Sequence, residues 1–421
     1  GKATAWDPNA NGNVTALAVS GTTVYAGGSF NTIGGKLRAS IAALDTAVNT
    51  GNATAWNPNA YNNGLTPAIR DIVVSGATVY AGGYFTGIGG QMRNGLAALD
   101  TTMNTNNATG WNPGFASADV YTLAVSASTV YAGGAFEWVN APAGLKQRHN
   151  LAAFDRITGN VTSWDPYAEG EVTTLGISGT KIYAGGNLAT VGGYARNKIA
   201  ALDAAGVGTA WNPNADGIVD ALAVSGSAVY AGGRFQNIGG QSRNYIAALN
   251  ATSNTNNATA WNPDLQHATH DGNIGVRALA VSGATVYVAG VFTSIGGQPR
   301  NGLAALSATV NTNNATAWNP SADGVVYSIA VSGTTVYAGG DFTSIGGQPR
   351  NGLAALNATV NTNNATAWNP GALGTSVYSI AVSGTMVYVG GGFTSIGGQQ
   401  RKYLAALDAT VNTNNATAWN P

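Results

Sequence analysis

The chain has 421 residues, 9% of them charged, a net charge of zero and no cysteine. So little charge excludes nucleic acid, which demands a basic surface, and an anionic lipid surface; the lack of cysteine excludes disulfides and thiolate metal sites. No apolar run approaches the roughly 18 residues that span a bilayer, and a net charge near zero leaves little self-repulsion to keep copies apart.

The first element is a phrase that returns throughout. Residues 3–8 read ATAWDP and the last six residues read ATAWNP. The tryptophan of this phrase stands at Trp6, Trp56, Trp111, Trp164, Trp211, Trp261, Trp318, Trp368 and Trp419, nine copies. A second phrase, VYAGG or a close variant, is centred on Tyr25, Tyr80, Tyr131, Tyr183, Tyr230, Tyr287, Tyr337 and Tyr388, eight copies. The start at GKATAW falls inside a repeat, which predicts a trimmed piece of a longer precursor and leaves room for a removed leader.

Successive tyrosines are 55, 51, 52, 47, 57, 50 and 51 residues apart, about the length of kelch-like propeller repeats. In chain order the units run over 9–57, 58–112, 113–165, 166–212, 213–262, 263–319, 320–369 and 370–421. In the seventh, VVYSIAVSG, TTVYAGGDF, GLAALNATV and NATAWNP are four short runs separated by Gly, Asn, Ser and Pro. Such runs read as strands with turn punctuation and carry no helical period. Alternation sends Val336, Ala338, Gly340 and Phe342 to one face and Tyr337, Gly339 and Asp341 to the other. Likewise Leu353 and Ala355 oppose Ala354 and Leu356. Sheets with Ala and Gly on both faces can lie close on both sides, as blades in a ring must. The predicted fold is all-β, a single domain over 1–421, an eight-bladed β-propeller with four antiparallel strands per blade. An open solenoid is the alternative, but its end repeats should be polar caps, and these are ordinary.

The run VYSIAVSGTTVYAGGDFTSIGGQPRNGLAALNATVNTNNATAWNP resembles the secreted bacterial and archaeal β-propeller repeats of the delta-sixty type. The resemblance rests on the paired ALAV and VYVGG.F strands, the IGG..R turn and the following IA.L strand, and it covers all eight units. It implies a propeller and a secreted protein. It implies little about activity, because propellers host many functions.

Eight blades need eight outer strands, so one ATAW copy is surplus. Assigning 53–56 to the first blade and 416–419 to the eighth leaves residues 1–8 over. Ala3, Thr4, Ala5, Trp6 and Trp419 are therefore candidates for a strand that links subunits head to tail by strand addition; a frayed end is the plainer alternative.

Chemistry-bearing residues are few. Arg38, Arg93, Arg148, Arg196, Arg243, Arg300, Arg350 and Arg401 follow the Gly-Gly turn in every unit, and read as structural forks bonding turn carbonyls or an acid. Asp45, Asp100, Asp155, Asp203 and Asp408 stand seven residues later. The Gly-Gly pairs lack the helix and the Lys-Ser/Thr of a phosphate loop. Glutamate occurs only at Glu137, Glu169 and Glu171, and the acids mostly fall one per blade, so neither a facing carboxylate pair nor a Ser-His-Asp set is suggested. The expectation is no enzyme, no cofactor and no metal. His267 and His270, beside Asp264 and Asp271, read as a polar loop.

Asn-x-Thr occurs at Asn13, Asn52, Asn107, Asn160, Asn250, Asn257, Asn314, Asn357, Asn364 and Asn415. These are candidate glycosylation sites on an outer rim, or residues that serve turns. The connections between units are long at 57–71 and 262–278, and unit three has an extended turn, FEWVNAPAGLKQRHN. In a propeller these loop classes share one face, which makes Tyr61, Trp138, His149, His267 and His270 candidates for binding a partner or sugar. The reading is an extracellular or cell-surface structural or adhesive protein, a repeating subunit of a glycosylated filament or matrix that self-associates head to tail. A lectin-like carbohydrate-binding propeller and an accessory part of a larger secreted enzyme are the alternatives; nucleic acid and membrane insertion are not expected.

Overall fold

The computed structural model describes residues 2–3, 6–141, 144–267, 274–374 and 376–412. Among them there is no helix, and the chain is a β-propeller repeat protein built from eight main sheets, each accompanied by a two-stranded hairpin. The inner strands of sheets 1 to 8 are Asn13–Ser20, Ala68–Ser75, Ala118–Val125, Val172–Ser178, Val219–Ser225, Gly275–Ser282, Val325–Ser332 and Val377–Ser383.

Sheet 7 shows how the sequence makes the unit. Its middle strand Thr335–Asp341 pairs antiparallel with the inner strand on one side and with Leu353–Asn357 on the other. The β-branched and aromatic residues of VVYSIAVS and TVYAGGD favour the pleated surface. Ser344–Ile345 and Gln348–Pro349 form the hairpin. Its turn is Gly346–Gly347, with φ of 66° and 75°, and two consecutive positive φ values are what a tight hairpin of this kind demands. The sequence reading had this stretch as a turn alone. The fourth strand is also reduced: the ATAW segment touches the third strand through one bridge, Leu356↔Ala365 in unit seven and Leu44↔Ala53 in unit one. It then leaves the sheet so that its tryptophan can enter the next junction.

The faces alternate as the pattern requires. Tyr337, Leu353 and Ala355 pack with sheet 8, whereas Val336, Ala338, Ala354 and Leu356 pack with sheet 6. Glycine in the middle strand sets the approach of neighbouring sheets. A Cβ on Gly339 would lie 2.6 Å from Val377 Cγ1 of sheet 8, and one on Gly390 of sheet 8 would lie 2.8 Å from Val14 Cγ1 of sheet 1.

Tryptophan fills what glycine leaves. Eight Trp–Tyr pairs meet edge to face, from Tyr25–Trp56 at 5.3 Å to Tyr337–Trp368 at 5.5 Å. Each such pair adds about 0.5–1.5 kcal/mol to the area it buries. The indole N–H then crosses to the next sheet: Trp56 Nε1 donates to Asp100 O at 2.7 Å, and Trp368 Nε1 to Asp408 O at 2.8 Å. Each tryptophan therefore bonds two sheets at once.

Sheets 2 and 3 share a further polar tie. The Asp71 carboxylate is turned between their inner strands, accepting Ile72 N and Leu123 N, each at 2.8 Å. Desolvation pushes its pKa up to about 6 despite these two bonds. A carboxyl raised in the folded state binds its proton more tightly there than in the unfolded chain. Stability is therefore greatest below the unfolded pKa near 3.8 and declines as pH rises to about 6, by on the order of 2–3 kcal/mol. Asp71→Asn should abolish this component: thermal melts at pH 4.5 and 7.5 should differ less for the variant than for the parent. An unchanged difference would place the titration elsewhere.

Candidate functional site

The seam between sheet 8 and sheet 1 is where the surplus copy matters, and it corrects the sequence assignment. Residues 1–8 are not left over. Lys2 and Ala3 pair with Asp408 and Leu407 on the outer edge of sheet 8, the same register that places Ala53 on Leu44 and Ala365 on Leu356. Trp6 is 1% exposed and meets Tyr388 of sheet 8 edge to face at 5.6 Å. Its Nε1 donates to Asp45 O of sheet 1 at 2.6 Å. Asp7 N donates to Asn49 O, as Asn57 N does to Asn104 O one sheet on. Residues 2–3 and 6–7 thus hold both halves of the slot. Thr4 and Ala5 lie outside the described residues, as do Asn415 and Trp419 of the C-terminal copy.

The repeated arginines confirm who occupies each slot. Their side chains are buried, and Nη2 donates to the carbonyl of the ATAW threonine of its own unit, for example Arg38 to Thr54 at 2.6 Å and Arg350 to Thr366 at 2.6 Å. Arg148 adds an ion pair with Asp165 at 2.7 Å. In unit eight Arg401 makes the matching pair with Asp7 at 3.1 Å, taking its acid from the other end of the chain. Desolvation raises the Asp7 carboxyl above the usual carboxylate range, and Arg401 partly offsets this. The acids seven residues after each arginine are used differently: Asp45 and Asp100 accept Ala47 N and Thr102 N in the next turn.

Burial divides the candidate glycosylation sites. Asn52, Asn107, Asn257, Asn314 and Asn364 are at most 2% exposed, so an N-linked sugar has no room on them in the folded chain. Asn250 and Asn357 are half-buried, each accepting the backbone N–H of the threonine two residues on. Asn13 and Asn160 are exposed.

The two variable loop classes do meet. Tyr61 bridges Gly87, Phe115 bridges Val139, and Gln266 bridges Ser294, each joining a connection between units to the hairpin of the unit that follows it. Trp138 and His149 come together beside a cavity of about 470 Å³ at the junction of sheets 3 and 4. Tyr61 belongs to sheet 2, where its ring covers Gly87. His267 lines a separate cavity of about 280 Å³ between sheets 6 and 7. His270 and Asp271 lie outside the described residues. Asp264 Oδ1 accepts Asn244 Nδ2 and Gln266 Nε2, and no cluster of three metal-binding side chains occurs among the described residues.

Sequence reasoning missed one set of residues. Every inner strand carries a β-bulge, and the extra residues are Thr15, Arg70, Tyr121, Thr173, Asp220, Arg277, Tyr327 and Tyr378. They reach from one inner strand to the next: the Arg70 guanidinium lies 5.4 Å from the Tyr121 ring centre, Asp220 pairs with Arg277 at 3.5 Å, and Tyr327 meets Tyr378 at 5.8 Å. The signal was present in the sequence, since this position varies chemically between strands that otherwise repeat. A bulge re-aims one side chain away from the alternation, so a period-two reading passes over it.

The family described as "Domain of unknown function (DUF5122) beta-propeller" matches residues 335–359. No curated protein matches the chain. Among solved structures, the computationally designed Ika8 protein is 13% identical, covering 97% of this chain and 100% of its own, with a TM-score of 0.61. The WD40 beta propeller domain of Doa1 is 9% identical over 96% of both chains, with a TM-score of 0.45. BamB from Moraxella catarrhalis is 16% identical over 77% of this chain and 81% of its own, with a TM-score of 0.42. These are likenesses of fold.

In a host that attaches N-linked sugars, peptide mapping by mass spectrometry should find Asn52, Asn107, Asn257, Asn314 and Asn364 bare. Sugar on any of these five would contradict the packing described for the outer segments.

Proposed function

We propose that the eight sheets are the blades of one closed ring, and that copies of this ring join head to tail by exchanging terminal strands into an extracellular structural or adhesive assembly. One observation carries the reading: two segments of nearly identical sequence, 3–8 and 416–421, match a single slot. The closed ring is supported by the run of contacts from each inner strand to the next, including Val377–Ser383 against Asn13–Ser20.

The phrase at either terminus matches the slot, although only the N-terminal copy brings an acid, Asp7, to Arg401, where the C-terminal copy has Asn420. When 416–419 pairs with its own sheet 8, the N-terminal segment is released with an unsatisfied tryptophan. Burying that side chain contributes about 1.5–3 kcal/mol, and the place that can take it is the seam of a second copy whose own terminal segments have left it. Each copy then gives one strand and receives one, a heterologous contact that propagates as a filament when it does not close. Low charge and zero net charge place little repulsion between copies. The protein acts by binding, without catalysis, and the chemistry-poor surface suits that role. A second reading, a carbohydrate-binding propeller, draws on the partly exposed Trp138 beside its cavity.

Light scattering and electron microscopy of three proteins test the exchange. The full chain should form concentration-dependent linear particles. A chain lacking 413–421 and one lacking 1–9 should each remain monomeric and melt cooperatively, because one strand suffices to close one ring. Identical assembly by all three, or a full chain that stays monomeric at every concentration, would remove the proposal.

A further inference from the structure

The junction of sheets 3 and 4 departs furthest from the repeat. The same crevice recurs at junctions 6/7 and 7/8, with volumes of about 280 and 180 Å³. There its wall carries Thr293 and Asn301, or Thr343 and Asn351. At junction 3/4 it opens to about 470 Å³, and Glu137 and His149 stand in those places. The adjoining hairpin is four residues long on each strand, Trp138–Ala141 against Gly144–Gln147, where the other units have two.

The opposite wall changes in concert. Elsewhere an asparagine after the repeated arginine bonds a small polar residue held at positive φ: Asn197 Nδ2 to Asn214 Oδ1 at 2.7 Å, and Asn244 Nδ2 to Asp264 Oδ1 at 2.8 Å. The residues equivalent to Asn214 and Asp264 (φ 51° and 46°) include Tyr167, at φ 45°. Asparagine and aspartate tolerate that conformation, whereas a bulky aromatic there is an outlier of the kind that gathers at functional sites. Tyr167 has replaced the small residue and His149 the asparagine, and the hydrogen-bonded pair has become a ring pair with centres 4.1 Å apart.

The resulting site is aromatic and anionic. Trp138 and Tyr167 are 39% and 48% exposed. His149 Nε2 is enclosed without a protein partner. Glu137 and Glu171 line the crevice, and neither forms an ion pair among the described residues. Arg148 and Arg70 are committed to Asp165 and Asp119, and Lys146, opposite Val139 on the hairpin, is not among the residues that line the crevice. Asn150 also has its amide spent, donating to Ala168 O and accepting from Phe136 N.

We propose that this crevice binds an ammonium group carried on a small organic body, such as an amino sugar or a lysine side chain. Uncompensated carboxylates repel anions. A neutral sugar can donate hydroxyls to these carboxylates but leaves their charge uncompensated. An organic cation satisfies both the acids and the exposed ring faces. The volume fits a ligand of that size, and the shared chemistry has two sources, a saccharide or a peptide.

Calorimetric titration of the full chain with glucosamine, N-acetylglucosamine and Nα-acetyl-lysine amide tests the assignment. At least one of the two amines should bind, and N-acetylglucosamine should bind roughly ten-fold more weakly than the better amine. Binding of glucosamine alone assigns a saccharide, and binding of the lysine derivative alone assigns a peptide; both outcomes support an ammonium site. Glu137→Gln and Glu171→Gln should each weaken the amine several-fold while leaving the melting temperature unchanged. No amine binding, N-acetylglucosamine binding as tightly as glucosamine, or undiminished affinity in both glutamine variants would overturn it.

Discussion

The structure depends on one tryptophan per unit standing between two sheets. Its ring fills the space beside the tyrosine of the sheet it leaves, and its indole N–H ends on the last carbonyl of the third strand in the sheet ahead. The rest of the unit makes room for this. Glycine and alanine bring the sheets close, the arginine holds the carbonyl of the threonine two residues before the tryptophan, and the outer segment gives up its ladder after one bridge. A buried indole whose N–H lacked a partner would cost the junction much of its gain, so packing and hydrogen bonding act through the same side chain.

That constraint gives the first residues a structural role. Seven junctions are supplied by chain connectivity, and the eighth needs a tryptophan from elsewhere. Trp6 supplies it, with Asp7 answering Arg401 as Asp165 answers Arg148, and Asn49 as Asn57 answers Asn104. The same phrase stands at the far end of the chain. Under the proposed exchange the seam is filled within one molecule or between two, and the choice is a matter of concentration.

Much of the architecture was legible because the repeats compare themselves. Eight tyrosine phrases marked eight sheets, and strict alternation assigned Tyr337 and Val336 to opposite faces. The errors came where a local pattern has two structural solutions. TSIGGQPR looked like a turn because its paired strands are only two residues long. NATAWNP looked like a strand because alternation cannot report that the segment leaves the sheet after one residue. The choice between residues 3–8 and 416–421 was invisible, since nearly identical phrases match one slot. The depth of the asparagine sites was hidden for a related reason: Asn52 sits where the chain dives toward the junction, and the sequon pattern carries no information on depth. At the sheet 3/4 crevice, Trp138 and His149 were legible as departures from the repeat. The pairing of His149 with Tyr167 was not, because they belong to different units and meet only when the sheets stack.

The most direct test is made clean by the absence of native cysteine. Lys2→Cys and Asp408→Cys introduce thiols at directly opposed positions of the seam. Mild oxidation of dilute protein, followed by mass analysis of the tryptic peptides and of the intact chain, reports whether the N-terminal segment lies on its own sheet 8. A disulfide within a single chain is the expected result. Two thiols that remain free to alkylation, in protein that is otherwise folded, would contradict a ring sealed by its first strand.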